Sequence, residues 1–258
     1  MFEKIKCFIL DMDGTIYLGN ELFPFTKDFL KKVEDTGREY YFFTNNSSKS
    51  QQAYIEKLGK LGIQIKKDQM MTSSHVIVKY LKEHYEGKSI YVLGTQSLIQ
   101  EFQYFDMNLT EEDPDIVVLG FDTTLTYEKL SKVCHYIRNG CIYFGINPDW
   151  NCPMEGGTFI PDCGSMAKLI EASTGRFPEF FGKPSKHTLD YIIQETGYEP
   201  DEIAIVGDRL YTDIAVADQS DVTSILVLSG ESTREDVKTS DVKPDVILED
   251  LSEITKML

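Results

Sequence analysis

The 258-residue sequence predicts an α/β protein built on a mostly parallel sheet covered by helices. Two patterns carry that reading. Short apolar runs without polar alternation read as strands buried on both faces. Amphipathic segments at helical spacing alternate with them. A third observation adds a site: four polar clusters each follow a predicted strand or a short apolar run, the end of an open parallel sheet where ligands bind.

The elements follow in order. Residues 5–10 read as a buried strand. Phe25, Phe29, Leu30 and Val33 then recur at helical spacing, with Gly37 placed as a C-terminal cap. Residues 40–43 form an aromatic strand, and a helix from about Ser50 carries Tyr54, Ile55, Leu58 and Leu61 on one side. The middle third repeats the alternation: a helix over 74–85, strands at 90–93, 116–121 and 141–146, and a helix marked by Leu130, Val133, Cys134 and Ile137. Residues 147–164 are rich in Pro, Gly, Asn and Asp and read as a long loop, the kind that is usually functional or mobile. A helix from Ser165 carries Met166, Leu169 and Ile170. The last third has a helix over 185–196, strands at 203–206 and 224–228, and an edge strand at 246–248.

Lys plus Arg number 26 against 42 Asp plus Glu, a formal net charge of −16. That balance argues against partners with phosphate backbones or anionic lipid surfaces, so neither nucleic acid nor membrane is expected. No apolar run approaches the ~20 residues of a bilayer span, and the first apolar stretch ends at Asp11, too early for a signal peptide. Cytoplasm is the default expectation. The five cysteines form no C-x-x-C pair and read as small hydrophobes. The four histidines show no metal-ligand spacing.

The polar clusters are Asp11-Met12-Asp13-Gly14-Thr15, Thr44-Asn45-Asn46, Gly182-Lys183-Pro184, and 207–213, Gly-Asp-Arg-Leu-Tyr-Thr-Asp. Each has a plain structural reading alone: Asp-Gly turns, a helix N-cap, a solvated lysine at a helix start. Brought to one crevice, they mean more. Asp11, Asp13, Asp208 and Asp213 would repel; two like charges ~4 Å apart cost about 4 kcal/mol at an effective dielectric near 20. Such a group shifts its pKa values or binds a cation, and hard oxygen ligands suit Mg²⁺. Thr44, backbone N–H groups around Asn45, and Lys183 are donors suited to phosphate oxygens. A carboxylate nucleophile, a divalent metal and an anion site together point to phosphoryl transfer.

The ordered set D-x-D-G-T, T-N-N, G-K-P and G-D-R-x-x-T-D resembles the haloacid dehalogenase (HAD) superfamily of phosphatases. The runs Asp-Met-Asp-Gly-Thr-Ile-Tyr at 11–17, Thr-Asn-Asn-Ser-Ser at 44–48, Asn147-Pro148-Asp149 and the unbroken 207–214 are similar to its NagD-like, para-nitrophenylphosphatase branch. The resemblance covers essentially the whole chain. It implies a Rossmann-like core from residues 1–77 and 179–258, with an α/β cap inserted at 78–178 for substrate specificity. It implies a Mg²⁺-dependent phosphatase acting on a small phosphorylated metabolite, such as a sugar phosphate or nucleotide, through an aspartyl-phosphate. Asp11 would be the nucleophile and Asp13 the general acid and base. Thr44, Asn45 and Lys183 would hold phosphate. Mg²⁺ would be bound by the Asp11 carboxylate, the Asp13 backbone carbonyl and Asp208, with Asp213 an outer-shell acceptor or further ligand. Asn147 and Asp149 would be substrate contacts from the cap. A phosphotransferase or phosphomutase on the same site, and a non-catalytic phosphate-binding module, are the alternatives. A homodimer is compatible with the resemblance. The sequence departs from the branch at 161–164, where Pro-Asp-Cys-Gly replaces its usual Pro-Gly-x-Gly turn.

Overall fold

The computed structural model describes residues 2–154 and 157–258. Met1, at the start of the expected core, and Glu155 and Gly156, within the expected 147–164 loop, lie outside the described residues.

The chain opens with β1 (Cys7–Leu10), the ribbon β2 (Tyr17–Leu18) and β3 (Glu21–Leu22), α1 (Thr26–Asp35), β4 (Glu39–Thr44), α2 (Gln51–Lys60) and β5 (Met70–Thr72). Next come α3 (Ser73–His84), β6 (Ile90–Leu93), α4 (Gln96–Tyr104), β7 (Ile116–Leu119), α5 (Tyr127–Arg138), β8 (Ile142–Gly145), β9 (Asn151–Met154), β10 (Thr158–Pro161), α6 (Cys163–Thr174) and β11 (Glu179–Phe180). The last third holds α7 (Lys186–Thr196), β12 (Ile203–Gly207), β13 (Thr223–Val227), α8 (Arg234–Thr239), β14 (Val246–Leu248) and α9 (Leu251–Met257).

Two compact units result. One comprises Met1–Thr44, Ile55–Met71 and Lys183–Leu258; the other comprises Asn45–Tyr54 and Thr72–Gly182. These units differ from the expected bounds: residues 45–54, 72–77 and 179–182, expected in the core, fall in the second unit.

The first unit is built on a six-stranded sheet in the order β14-β13-β12-β1-β4-β5. β1 pairs in parallel with both β4 and β12, and β13 extends the parallel run to β14. β1 and β12 are buried at every position, Cys-Phe-Ile-Leu and Ile-Ala-Ile-Val-Gly, the apolar runs that strands covered on both faces require. From β1 the chain moves to one side, to β4; later it places β12 on the other. β1 therefore lies at a topological switch point, where α/β sheets open a crevice at their carboxyl ends.

The second unit has a four-stranded parallel sheet, β11-β8-β7-β6. Leu93, Val117, Leu119 and Phe121 on one side of it pack against Val133 and Ile137 of α5 and Met166 and Ile170 of α6. This is the α/β architecture the alternation predicts.

The stretch 147–164 departs from the expected loop. β9 and β10 form an antiparallel ribbon within it, with Phe159 opposite Pro153 and Pro161 opposite Asn151. Proline disfavours central strands, but both strands of an isolated ribbon are edges, where a missing N–H is tolerated. α4 and β5 are also additions to the sequence reading. All five cysteines are free thiols. Among the described residues no helix is long and apolar enough to cross a membrane.

Candidate active site

The register sets the ends of the central strands side by side. Leu10 is level with Phe42 of β4 and Val206 of β12. The next residues along are therefore Asp11, then Thr44 at the end of β4, and Asp208 just past the end of β12. The Asp11 N–H continues the ladder, donating to the Val206 carbonyl at 2.9 Å.

Lys183, which precedes α7, reaches into this group and is only 2% exposed. Its Nζ donates to Asp11 Oδ1 at 2.7 Å, to Asp213 Oδ1, and to the Phe43 carbonyl at 3.4 Å. Burial by itself would lower the ammonium pKa. The Asp11 and Asp213 carboxylates more than reverse that, and Lys183 is held charged above the ordinary lysine value. Asp213 stands in a π-helical turn over Leu210–Ile214 and is buried. Its Oδ2 accepts from the Arg209 N–H at 3.1 Å, so both of its oxygens are engaged.

Asp208 is different. It is 2% exposed; Oδ2 accepts from the Glu231 N–H at 2.7 Å, while Oδ1 is buried without a hydrogen-bond partner among the described residues. Burial, then the charges of Asp11 and Asp213, push its pKa well above the carboxylate range. Asp11 is pushed up to about 7, again first by burial and then by Asp213, against the pull of Lys183 and Arg209. One oxygen from each of Asp11, Asp208 and Asp213 can be chosen so that all three lie within 4.8 Å of one another. A buried, unpartnered carboxylate oxygen in such a cluster fits a small divalent cation with oxygen ligands. Asp11 and Asp208 are the members whose protons a cation would displace.

Asp13 is exposed on the turn beyond Asp11, and its Oδ1 accepts from the Gly19 N–H at 3.3 Å. The turn depends on Gly14. Its φ is +87°, and a Cβ there would run into the Asp208 carboxylate. Thr44 is buried at the end of β4, next in the chain to the Phe43 carbonyl that Lys183 touches. Asp11, Lys183, Asp208 and Asp213 are thus brought together in the first unit, with Thr44 and Asp13 on the adjoining strand end and turn. Asn45, Asn147 and Asp149 belong to the second unit. There the Asn45 Nδ2 donates to Asp149 Oδ2 at 3.0 Å, and Asn147 is fully buried.

One segment escaped the sequence reading. The loop after β13 carries Ser229, Gly230, Glu231 and Ser232. Ser229 Oγ donates to the Gly14 carbonyl at 2.7 Å, the Glu231 N–H holds Asp208 Oδ2, and the Ser232 N–H donates to the Asp208 carbonyl at 3.0 Å. A Cβ on Gly230 would collide with the Asp208 carboxylate. The available signal was position: Ser-Gly just past a strand that neighbours β12.

This arrangement defines a class, an α/β protein with a buried carboxylate–lysine cluster at the switch point of a Rossmann-like core. Residues 8–108 match the model described as haloacid dehalogenase-like hydrolase, and residues 180–254 match a second, HAD-hydrolase-like model. The chain belongs to that family. It is 33% identical over 252 residues to the acid sugar phosphatase of Staphylococcus aureus strain MRSA252, covering 97% of each chain. Among solved structures it is similar to a 4-nitrophenylphosphatase from Thermotoga maritima, 42% identical with a TM-score of 0.95 over 99% of this chain and 98% of that one. It is also similar to NagD from E. coli K-12, 30% identical with a TM-score of 0.88 over 96% and 98%. Within the family it is an enzyme of the NagD-like, para-nitrophenylphosphatase branch, a phosphoric monoester hydrolase with an inserted α/β cap.

Proposed function

We propose that this protein hydrolyses a small phosphate monoester in a Mg²⁺-dependent reaction through a phosphorylated Asp11. The observation that carries the reading is the buried Lys183 ammonium clamped between Asp11 and Asp213, in the same cluster as an Asp208 oxygen that has no hydrogen-bond partner among the described residues. Lys183 and the cation site together offer positive charge to an anion that the −16 overall balance would otherwise repel.

The Asp11 carboxylate attacks phosphorus in line, and the bond from phosphorus to the ester oxygen breaks. Asp13, on its exposed turn, gives its proton to the leaving alkoxide. It then takes a proton from water as that water attacks the phosphoaspartate, which releases inorganic phosphate and restores Asp11. Thr44 and the Asn45 N–H hold phosphoryl oxygens. Lys183 neutralises charge on Asp11 before attack and on the phosphoryl group during it. Asp213 keeps Lys183 extended; with both oxygens engaged it serves as an outer acceptor and not as a metal ligand. Mg²⁺, held by the Asp11 and Asp208 carboxylates and the Asp13 main-chain carbonyl, supplies neutralisation of phosphoryl charge when bound. The inserted unit is assigned the choice of leaving group. The Staphylococcus relative's name directs the first substrate panel to sugar phosphates.

The test is release of 4-nitrophenol and of phosphate from a panel of sugar phosphates, with Mg²⁺ and with EDTA. Turnover is expected only with Mg²⁺. Asp11→Asn should lower kcat by at least about 10³-fold while melting stays cooperative. No turnover of any monoester by the Mg²⁺-loaded wild type, or undiminished turnover by Asp11→Asn, rejects the reading.

A further inference from the structure

Asn147 lies outside the carboxylate cluster, yet all of its carboxamide is in use. Its Oδ1 accepts from Ser47 Oγ at 2.9 Å. Its Nδ2 donates to Asp149 Oδ2 and to Asp162 Oδ1, both at 2.9 Å. Asp149 Oδ2 also takes the Asn45 Nδ2, and Ser47 Oγ accepts from the Phe121 N–H at 2.9 Å. The same group receives Gly182. The Gly182 N–H donates to the Ile146 carbonyl at 2.5 Å. A Cβ there would lie 2.7 Å from Asn45 Oδ1, 2.9 Å from the Ile146 carbonyl oxygen and 3.1 Å from Asn147 Cβ, so only glycine fits without a shift. The residue that follows Thr44 and the residue that precedes Lys183 are therefore both seated around one asparagine.

We propose that Asn147 is a positioning residue for phosphoryl transfer. Its carboxamide clasps the chain immediately after Thr44 to the chain immediately before Lys183, and through those peptide bonds sets where the Thr44 hydroxyl and the Lys183 ammonium can reach. The proposal rests on the phosphatase reading above. A carboxamide is the group the place requires: it presents two donor hydrogens to two carboxylates and an acceptor to a hydroxyl. Aspartate would bring a third carboxylate beside Asp149 and Asp162. Alanine would leave both of those without a donor they now have. Asn147 is buried and both polar atoms of its carboxamide are engaged by Ser47, Asp149 and Asp162, so the effect proposed for it is on geometry. A displacement of about 1 Å in a phosphate-binding group can cost about 10²-fold in rate.

The experiment compares wild type, Asn147→Ala, Asn147→Asp and the milder Ser47→Ala, by steady-state hydrolysis of 4-nitrophenyl phosphate with Mg²⁺ and by thermal melting. At a temperature where every assayed variant is fully folded, kcat should fall about 10- to 100-fold for the Asn147 variants. For Ser47→Ala the fall should be several-fold. KM should change less than about twofold, because an interaction made only in the transition state lowers kcat and kcat/KM together. Ser47→Ala keeps the test open should the Asn147 variants fail to fold. Variants that lose melting temperature but keep kcat reduce Asn147 to a stability role and overturn the proposal. A raised KM at constant kcat marks a substrate contact and overturns it equally. An inactive wild type defeats the phosphatase reading instead, which separates the two failures.

Discussion

Each compact unit buries its own group of carboxylates, and their partners differ. In the first, Asp11 and Asp213 share one ammonium, Lys183, while Asp208 Oδ2 takes the Glu231 N–H and Asp208 Oδ1 has no partner among the described residues. In the second, Asp149 and Asp162 face the neutral carboxamide of Asn147, which divides its donors between them. A buried ionised group is tolerated when it is paired or hydrogen-bonded and is costly when it is not. The amide-bonded pair is suited to holding backbone in place. The first group sets three carboxyl groups close together, and burial and mutual repulsion raise the pKa of Asp11 and Asp208, which is the condition of groups that bind cations and react.

The sharpest way to break this contrast is to remove the cation. Lys183→Met leaves Asp11 and Asp213 buried without their counter-charge. Loss of one partner from a buried pair costs about 3–5 kcal/mol, and loss of a transition-state charge stabiliser costs about 10²–10³ in kcat. Melting and turnover should fall together, and a variant as stable and active as wild type would show that the ammonium is incidental. Next in size is Asp208→Asn. It removes the charge beside the unpartnered oxygen, so the Mg²⁺ concentration for half-maximal activity should rise at least about 10- to 100-fold. An unchanged Mg²⁺ titration would move the metal elsewhere.

The smallest effect concerns pH. In metal-free protein the folded state keeps protons on Asp11, up to about pH 7, and on Asp208, which the unfolded chain has released near 3.8. The folded state binds more protons, so this cluster's contribution is full below about pH 4 and is lost as pH rises through the folded value near 7. Melting in EDTA should therefore drop from about pH 5 to pH 8 more steeply than melting in Mg²⁺, and Asp208→Asn should flatten the EDTA curve. Parallel curves in all three would mean the carboxylates are not raised.

Much of this was legible without coordinates. The apolar runs of β1, β7 and β12 announce strands because both their faces are covered. Asp11, Lys183, Asp208 and Asp213 were legible because their residue types recur at strand ends, where a parallel sheet places a site. Other parts were hidden for definite reasons. β5 is three residues long and takes its conformation from a neighbour. α4 carries a buried Glu101 on its inner face, where a hydrophobic pattern expects an apolar residue. The β9–β10 ribbon contains two prolines and reads as loop. The Ser229–Ser232 loop carries backbone donors for Asp208, and backbone donors leave no trace in residue type.

The sequence by itself determined the alternation of strand and helix, the acidic balance, and the chemical groups available at the strand ends, because these depend on residue type and local spacing. Tertiary structure decided which carboxylate holds Lys183, which keeps an open oxygen, and that Asn147 is enclosed by Ser47, Asp149 and Asp162. Lys183 meets Asp11 across 172 residues of chain and Asn147 meets Ser47 across 100. Contacts at such separations are selected by packing of whole sheets and helices, which local preference does not encode.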